Sequence, residues 1–212
     1  MSKAVIFDLD GVLIDSLDAH FKAWTEFWRR RGKRHTRVMF DAIVATSAEE
    51  TLRIRNKTFG THIPINEGVK EREALFGRYA RGHLRLYPGA MALLKTLKRT
   101  HRLGLATSSG HRTLNYVWKL FPMLKKQFRV VVTKNEVKRS KPDPAIYLLA
   151  CKRLGCKPSE CVVVEDAPNG IKAAKRAGMK VVAVMQTFGR KKLKGADVIV
   201  STIRSKKLLE SV

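Results

Sequence analysis

The chain has 212 residues, of which 43 are Lys or Arg and 18 are Asp or Glu, so its formal net charge is +25. This length allows one or two domains with a buried core. No apolar stretch is long enough to cross a bilayer. The chain has three cysteines and no apolar signal region, which argues against a disulfide-bonded secreted protein. We therefore expect a cytoplasmic protein with no membrane association, whose positive charge attracts phosphorylated metabolites and, non-specifically, nucleic acid.

The first predicted element is a short buried strand that ends in two acids. Four apolar residues, 4–7, precede Asp8, and Asp10 lies just before Gly11. The i, i+2 spacing directs both carboxylates toward the crevice at the carboxyl end of the strand. Two acids held together repel each other, so they need a bound cation or a shifted pKa. The alternative is an ordinary strand-end turn with Asp beside Gly.

The next segment, residues 16–84, is predicted to be helical. Phe21, Trp24 and Trp28 recur at helical spacing, and Gly32, Gly60 and Pro64 separate the helices. A helical insertion after the first strand can cover the strand-end crevice as a lid. We therefore predict a cap domain at 16–84 and a core domain made of 1–15 and 85–212.

After Tyr87-Pro88-Gly89, helices and strands alternate to the end of the chain. The predicted helices are 90–100, 112–119, 143–154 and 169–177, and the predicted strands are 103–107, 129–133, 161–165, 180–184 and 197–200. Such alternation favours an α/β fold with a parallel sheet and a ligand site beyond its strand ends.

Three further segments of the chain contain candidate site residues. Thr107 and Ser108 end one predicted strand, Lys141 lies in a Ser-Lys-Pro-Asp sequence, and Glu165 and Asp166 end a valine-rich strand before Ala-Pro-Asn-Gly. Together with Asp-Leu-Asp-Gly-Val at 8–12, these motifs occur in the order found in the haloacid dehalogenase-like superfamily, which the chain resembles over essentially its whole length. Within it, the chain resembles the β-phosphoglucomutase and phosphoglycolate phosphatase-like branch, which has a small helical cap.

The resemblance implies a Rossmann-like parallel sheet core with an inserted α-helical cap, and an enzyme that transfers phosphoryl groups. Asp8 would be the nucleophile and would form an aspartyl-phosphate. Asp10 would protonate the leaving alcohol and then deprotonate the attacking water. The alternative for Asp10 is a turn former before Gly11.

The resemblance also implies a Mg²⁺ site and a phosphate site. Asp8, the main-chain carbonyl of Asp10, and Asp166 would bind Mg²⁺, with Glu165 either a minor ligand or a residue behind the ligands. Thr107 and Ser108 would bind phosphate oxygens, and Lys141 would balance charge between nucleophile and phosphate. Capping of the helix that follows is the alternative for the Glu165-Asp166 pair.

In the cap, His20 and Trp24 lie one helical turn apart, so both can face the crevice. In the branch that the chain resembles, a histidine at this position reaches the site; a core histidine packed against Trp24 is the alternative. The mutases of that branch carry a cap arginine that holds the distal phosphate of a bisphosphate, and Ala48 takes its place here. Arg53 or Arg55 could substitute for it.

These observations favour a Mg²⁺-dependent phosphatase acting on a small phosphorylated metabolite, either a sugar phosphate or a phosphoglycolate-like acid. A β-phosphoglucomutase-type phosphomutase is the first alternative. The second is a nucleic-acid-associated basic binding protein, although no specific nucleic-acid partner is predicted.

Overall fold

Parallel strands with connecting helices make up most of the fold in the computed structural model, which describes residues 2–212. The eight strands are β1 (Ala4–Phe7), β2 (Ile14–Asp15), β3 (Arg85–Leu86), β4 (Arg102–Thr107), β5 (Val130–Thr133), β6 (Cys161–Glu165), β7 (Lys180–Val184) and β8 (Val198–Val200). The α-helices of this part of the chain are α1 (Leu17–Arg29), α2 (Arg37–Asp41), α3 (Ala48–Phe59), α4 (Ile65–Ala80), α5 (Ala90–Leu97), α6 (His111–Leu120), α7 (Pro122–Lys125), α8 (Ala145–Leu154), α9 (Pro168–Arg176), α10 (Arg190–Leu193) and α11 (Lys206–Glu210).

Six strands form one parallel sheet in the order β5-β4-β1-β6-β7-β8. Strands β1 and β6 are buried along their whole length, as expected for mainly apolar strands covered by helices on both faces of a parallel sheet. The predicted α/β fold with a Rossmann-like parallel sheet is confirmed. No helix within residues 2–212 has the length and apolar character needed to span a bilayer.

The sheet brings the acidic residues that follow β1 and β6 to the same edge. Strand β1 lies between β4 and β6, with Phe7 opposite Leu105 on one side and Val164 on the other. Because parallel strands share a direction, the residues that follow β1, β4 and β6 emerge together, where the strand order reverses. This switch point is where ligands bind in open α/β sheets.

Helices α1 to α4 are inserted between β2 and β3, which pair antiparallel with Ile14 opposite Leu86. The chain therefore leaves the core and returns to it through one two-stranded ribbon. Within the insertion α1 packs against α4, and Trp28 is fully buried between Phe27 and Phe59. The aromatic residues at helical spacing are the core of this helical layer, and its assignment to 16–84 as a separate domain stays a prediction.

Two predicted helices are shorter than expected, for local reasons. Helix α5 ends at Leu97 because the amides of Arg99 and Thr100 bond to carbonyls three residues back, which tightens the chain into a different turn. Helix α8 begins at Ala145 because the Asp143 side chain accepts a hydrogen bond from the Ala145 amide, 3.0 Å away. Short helices such as α2, α7, α10 and α11 have too few turns to show a periodic pattern.

Candidate active site

A buried ion cluster lies at the carboxyl edge of the sheet. The Lys141 ammonium donates to Asp8 Oδ1 at 2.6 Å, to Glu165 Oε1 at 2.8 Å and to the Ala106 carbonyl at 3.3 Å. An ammonium has three protons, so all of its donors are used. Lys141 is only 1% exposed. Although burial opposes its charged form, the Asp8 and Glu165 carboxylates raise the pKa of Lys141 and keep it protonated.

Glu165 is fully engaged by the protein. Its Oε1 accepts from Lys141 and from the Tyr147 hydroxyl at 2.7 Å, and its Oε2 accepts from the Asp166 and Ala167 amides at 2.9 and 3.1 Å. A Cβ at Gly170 would lie 1.7 Å from Oε1, so this glycine makes room for the carboxylate. The geometry favours a position for Glu165 behind the metal ligands, where it holds Lys141.

Asp166 offers an unused oxygen to a cation. Its Oδ2 accepts from the Thr187 hydroxyl, whereas Oδ1 is buried and has no hydrogen-bond partner within residues 2–212. Ligand oxygens of Asp8, Glu165 and Asp166 all lie within 4.8 Å of one another. Carboxylate oxygens are the donors that Mg²⁺ prefers, so the donor set fits this ion.

The charge balance of the cluster also favours a bound cation. Burial raises the pKa of Asp8 to about 7, with Lys141 opposing the shift and the Glu165 and Asp10 carboxylates adding to it. Burial, together with the neighbouring Glu165 and Asp8 carboxylates, likewise raises the pKa of Asp166 well above its usual range. One lysine does not neutralise this group of acids, and a divalent cation would.

Asp10 is held as an ion by a second set of contacts. Its Oδ1 accepts from the Ser16 hydroxyl at 2.6 Å and lies 3.2 Å from His20 Nε2, and its Oδ2 accepts from the Ser109 hydroxyl at 2.8 Å. Burial would raise the pKa of Asp10, but the His20 ring and the two hydroxyls lower it. In this arrangement Asp10 is a carboxylate, ready to accept a proton.

The cap supplies His20 in a defined protonation state. Arg72 on α4 contacts His20 Nδ1, and because a guanidinium can only donate, Nδ1 is the acceptor and Nε2 carries the proton given to Asp10. Burial and the Arg72 charge lower the pKa of His20, so the ring is neutral near pH 7. The ring stacks on Phe76, with centroids 4.2 Å apart, and not on Trp24.

The loop after β4 carries the predicted phosphate ligands. Thr107 is fully buried and its hydroxyl accepts from the Ser109 amide at 3.0 Å, while the Ser108 hydroxyl donates to the Ala45 carbonyl of the cap at 2.6 Å. Ser109, which sequence reasoning missed, reaches Asp10 and lines the cavity together with Ser108 and Gly110. The run of Thr, Ser, Ser and Gly after a strand was the signal that could have identified it.

The cap and the core line a partly open cavity of about 70 Å³ above Asp8 and Asp10, with His20 and Trp24 on its cap side. Pockets that hold small molecules have volumes of about 300–1,000 Å³. A phosphate ester would therefore fit between the cap and the core only if this cavity widened. Asn169 of the core donates to the Val44 carbonyl of the cap at 3.1 Å, and this is one of the contacts between the two parts.

Neither arginine considered as a substitute for the mutase arginine lines this cavity. Arg53 is exposed on α3, 3.4 Å from Glu50, and the buried Arg55 donates to the Met39 carbonyl. Within residues 2–212 the arginine that lines the cavity is Arg72, which sequence reasoning missed. Its guanidinium lies 5.2 Å from the centre of the Trp24 ring and contacts His20.

The fold and the site together define a class of α/β proteins. In this class the switch point of the sheet is acidic, and an inserted helical layer covers it. Residues 5–184 match the haloacid dehalogenase-like hydrolase family. The chain belongs to this family, and the resemblance found in its sequence motifs is confirmed.

Similar proteins include both phosphatases and mutases. The chain is 32% identical to validoxylamine A 7'-phosphate phosphatase of Streptomyces hygroscopicus subsp. limoneus, over 96% of this chain and 95% of that protein. It is 34% identical to the β-phosphoglucomutase of Bacillus subtilis, over 93% and 88% of the two chains. Among solved structures, CbbY of Rhodobacter sphaeroides in complex with phosphate aligns with a TM-score of 0.82 and 26% identity, covering 96% of this chain and 95% of CbbY.

We predict that Mg²⁺ stabilises the protein through Asp166. A ligand that binds only the folded state at 100 times its Kd adds about 2.7 kcal/mol to the free energy of unfolding. Thermal unfolding with and without Mg²⁺ should show a rise in Tm for the wild type and a much smaller rise for Asp166→Asn. Asp18→Asn, which changes an exposed acid on α1, is the matched control and should keep the full rise. An unchanged Mg²⁺ response in Asp166→Asn would remove Asp166 from the metal site.

We also predict that Lys141→Met destabilises the protein in a pH-dependent way. The substitution leaves two buried carboxylates without their cation, which costs about 3–5 kcal/mol. The Asp8 pKa, already raised to about 7, should rise further without Lys141. An acid with a raised pKa in the folded state loses stability as pH rises, so the deficit should be smaller near pH 5 than near pH 8.

Urea unfolding at several pH values checks this prediction, with Lys22→Met on the surface of α1 as the control. A deficit that grows on acidification, or no deficit at neutral pH, would contradict the assigned charge states.

Proposed function

We propose that this protein is a Mg²⁺-dependent phosphatase that hydrolyses a small phosphorylated metabolite through an aspartyl-phosphate on Asp8. The observation that carries the proposal is the state of the Asp8 carboxylate. Lys141 holds Oδ1 at 2.6 Å, while Oδ2 makes no hydrogen bond within residues 2–212 and Asp8 lines the cavity. One oxygen is thus fixed and the other is available to attack phosphorus.

In the first step, an Asp8 oxygen attacks the phosphorus atom and the bond from phosphorus to the ester oxygen breaks. Asp10, when protonated, gives its proton to that leaving oxygen, which departs as an alcohol. In the second step, Asp10 takes a proton from water, whose oxygen attacks the phosphorus of the aspartyl-phosphate. Inorganic phosphate leaves, and the Asp8 carboxylate and protonated Asp10 are restored.

The residues around Asp10 suit the second step in particular. Ser16, His20 and Ser109 all stabilise its ionised form, so Asp10 is a base while the cap is closed. His20 and Ser16 come from the chain at the start of the insertion, whereas Ser109 comes from the core. Movement of the cap therefore changes the environment of Asp10, which couples its proton affinity to the position of the cap.

The phosphoryl group would be bound by hydroxyl groups, with positive charge from a lysine and from Mg²⁺. Thr107 and Ser108 are the proposed phosphate ligands, and Lys141 compensates charge between them and Asp8. Asp8, the Asp10 main-chain carbonyl and Asp166 would hold Mg²⁺, which supplies positive charge to the phosphoryl oxygens when bound. Support for a sugar phosphate as the substrate comes from the hydrogen-bonding side chains among the residues that line the cavity and from the phosphatase and mutase relatives. A phosphoglycolate-like acid is the other substrate class considered.

A β-phosphoglucomutase-type phosphomutase is the second candidate, and it is favoured by the contacts of Ser16 and His20 with Asp10. Against it, Ala48 replaces the arginine expected to hold a distal phosphate, and Arg53 and Arg55 lie outside the cavity. Without an arginine to hold the distal phosphate, a sugar phosphate stays less firmly bound beside the phosphoenzyme. The phosphoryl group is then transferred to water more readily than to the sugar phosphate. Isomerisation of β-glucose 1-phosphate stimulated by bisphosphate would favour the mutase over the phosphatase.

We predict that the wild type releases phosphate from p-nitrophenyl phosphate and from a panel of sugar phosphates, and that EDTA abolishes this activity. Asp8→Asn should lower kcat by at least about a thousandfold, because an amide is a very poor nucleophile. Asp18→Asn, with the same change on an exposed surface, should keep wild-type activity. Phosphate release by Asp8→Asn at the wild-type rate would refute the proposal.

A further inference from the structure

The cap reaches the cavity through a short turn between α2 and α3. Residues 43–46, here called the cap turn, all line the cavity above Asp8 and Asp10. The turn is closed by the amide and the hydroxyl of Thr46, which both donate to the Ile43 carbonyl, at 3.0 and 2.6 Å. An ester whose phosphorus lies at Asp8 would therefore place its alcohol part against this turn.

The cap turn contains a backbone conformation that needs support. Ala45 has a φ of +68°, and it is the one residue other than glycine with a positive φ within residues 2–212. The Cβ atom of an L residue makes this left-handed conformation unfavourable. Such a conformation persists where the surrounding contacts fix it. The contacts that hold the cap turn therefore decide where it lies.

Two side chains of the core hold successive carbonyls of the cap turn. Asn169 Nδ2 donates to the Val44 carbonyl at 3.1 Å, and the Ser108 hydroxyl donates to the Ala45 carbonyl at 2.6 Å. Neither carbonyl accepts another hydrogen bond within residues 2–212. Val44 is buried, so a lost Asn169 donor would be poorly replaced by water.

The two donors differ once a phosphate group is bound. A serine hydroxyl has one proton, so Ser108 cannot donate fully to the Ala45 carbonyl and to a phosphate oxygen at the same time. Asn169 is not among the residues that line the cavity, and it has no such second acceptor there. It lies in the first turn of α9, three residues after Asp166. Asn169 is therefore the donor that can hold the cap turn while Ser108 binds phosphate.

We propose that Asn169 is a positioning residue that sets substrate specificity through the cap turn. By holding the Val44 carbonyl, it fixes the turn relative to the catalytic edge of the sheet and so defines the room for the alcohol part of the ester. This inference rests on the proposed phosphatase function and deepens it, because it names a residue outside the cavity that controls how the alcohol part is held.

Asn169→Asp separates this role from a structural one. The carboxylate matches the amide in size and is favourable near the amino end of α9, but when ionised it cannot donate to the Val44 carbonyl. Asn169→Ala removes the donor without adding a charge. Lys192→Met is the control, because Lys192 lies 3.8 Å from Asp41 at the same boundary between core and cap. Its loss lowers the net charge by one, as Asn169→Asp does.

Steady-state kinetics compare acetyl phosphate, whose leaving group is small, with the sugar phosphate of the panel that is hydrolysed fastest. In both Asn169 variants we expect the KM of the sugar phosphate to rise at least about fivefold while its kcat stays within about twofold. The cap turn contacts a part of the ester that the reaction does not change, so the bound and transition states lose this contact equally. Acetyl phosphate should keep both constants, and Lys192→Met should leave both substrates unchanged.

A second measurement does not depend on activity. Hydrogen–deuterium exchange followed by mass spectrometry reports on the peptides that cover residues 42–48. Exchange there should be several-fold faster in both Asn169 variants than in the wild type and in Lys192→Met, because the turn loses a contact that fixes it. The Tm of Asn169→Asp should change little.

The outcomes separate the two proposals. A wild type that hydrolyses neither ester would refute the phosphatase function. Hydrolysis of both esters with an unchanged KM for the sugar phosphate in the Asn169 variants, or with equal losses for the two esters, would refute the positioning role alone. Unchanged exchange of the cap turn would also refute that role, because Asn169 would then not hold the turn.

Discussion

The bond between the Lys141 ammonium and the Asp8 carboxylate is the interaction on which the site depends. It joins β1, the loop before α8 and the end of β6, because Lys141 also holds Glu165. A buried ion pair of this kind contributes little net stability, since the loss of hydration offsets much of the attraction. Its main effect is to fix the position of one Asp8 oxygen. Glu165 is fixed in turn by hydrogen bonds from Tyr147 and two backbone amides.

The cap contributes polar contacts to the site. Ser16 and His20 reach Asp10, Ser108 reaches the Ala45 carbonyl, and Asn169 reaches the Val44 carbonyl. Hydrogen bonds of this kind are worth about 1 kcal/mol each, so breaking these few costs little by itself. The cavity of about 70 Å³ would have to widen to admit a phosphate ester, and such a movement of the cap would change the proton affinity of Asp10.

Sequence patterns predicted the sheet and its acidic edge because both depend on local signals. A buried strand followed by acidic residues can be recognised within one short segment of the sequence. The parallel arrangement of the strands follows from their alternation with helices. Lys141 was assigned through its resemblance to a family motif, since one lysine among 43 basic residues has no pattern of its own. The role of Tyr147 was not predictable, because its contact with Glu165 depends on how α8 packs against the sheet.

Arg72 and Ser109 were missed for different reasons. Ser109 stands in a short polar run where several residues could have faced the site. Arg72 lies in a charged helix whose arginines look alike in sequence, and only the packing of α4 against α1 buries this one beside Trp24 and His20. Helix ends were displaced by a few residues because side-chain capping and tight turns decide them.

The most direct test of the account is to trap the phosphoryl group on Asp8. In Asp10→Asn, p-nitrophenolate can still leave without a proton, but the base that activates water is missing, so the phosphoenzyme should accumulate. Acid quenching of this variant with Mg²⁺ and p-nitrophenyl phosphate, followed by peptide mass spectrometry, should locate one phosphoryl group on Asp8. Turnover without any phosphoryl group on Asp8, or a phosphoryl group on another residue, would contradict the account.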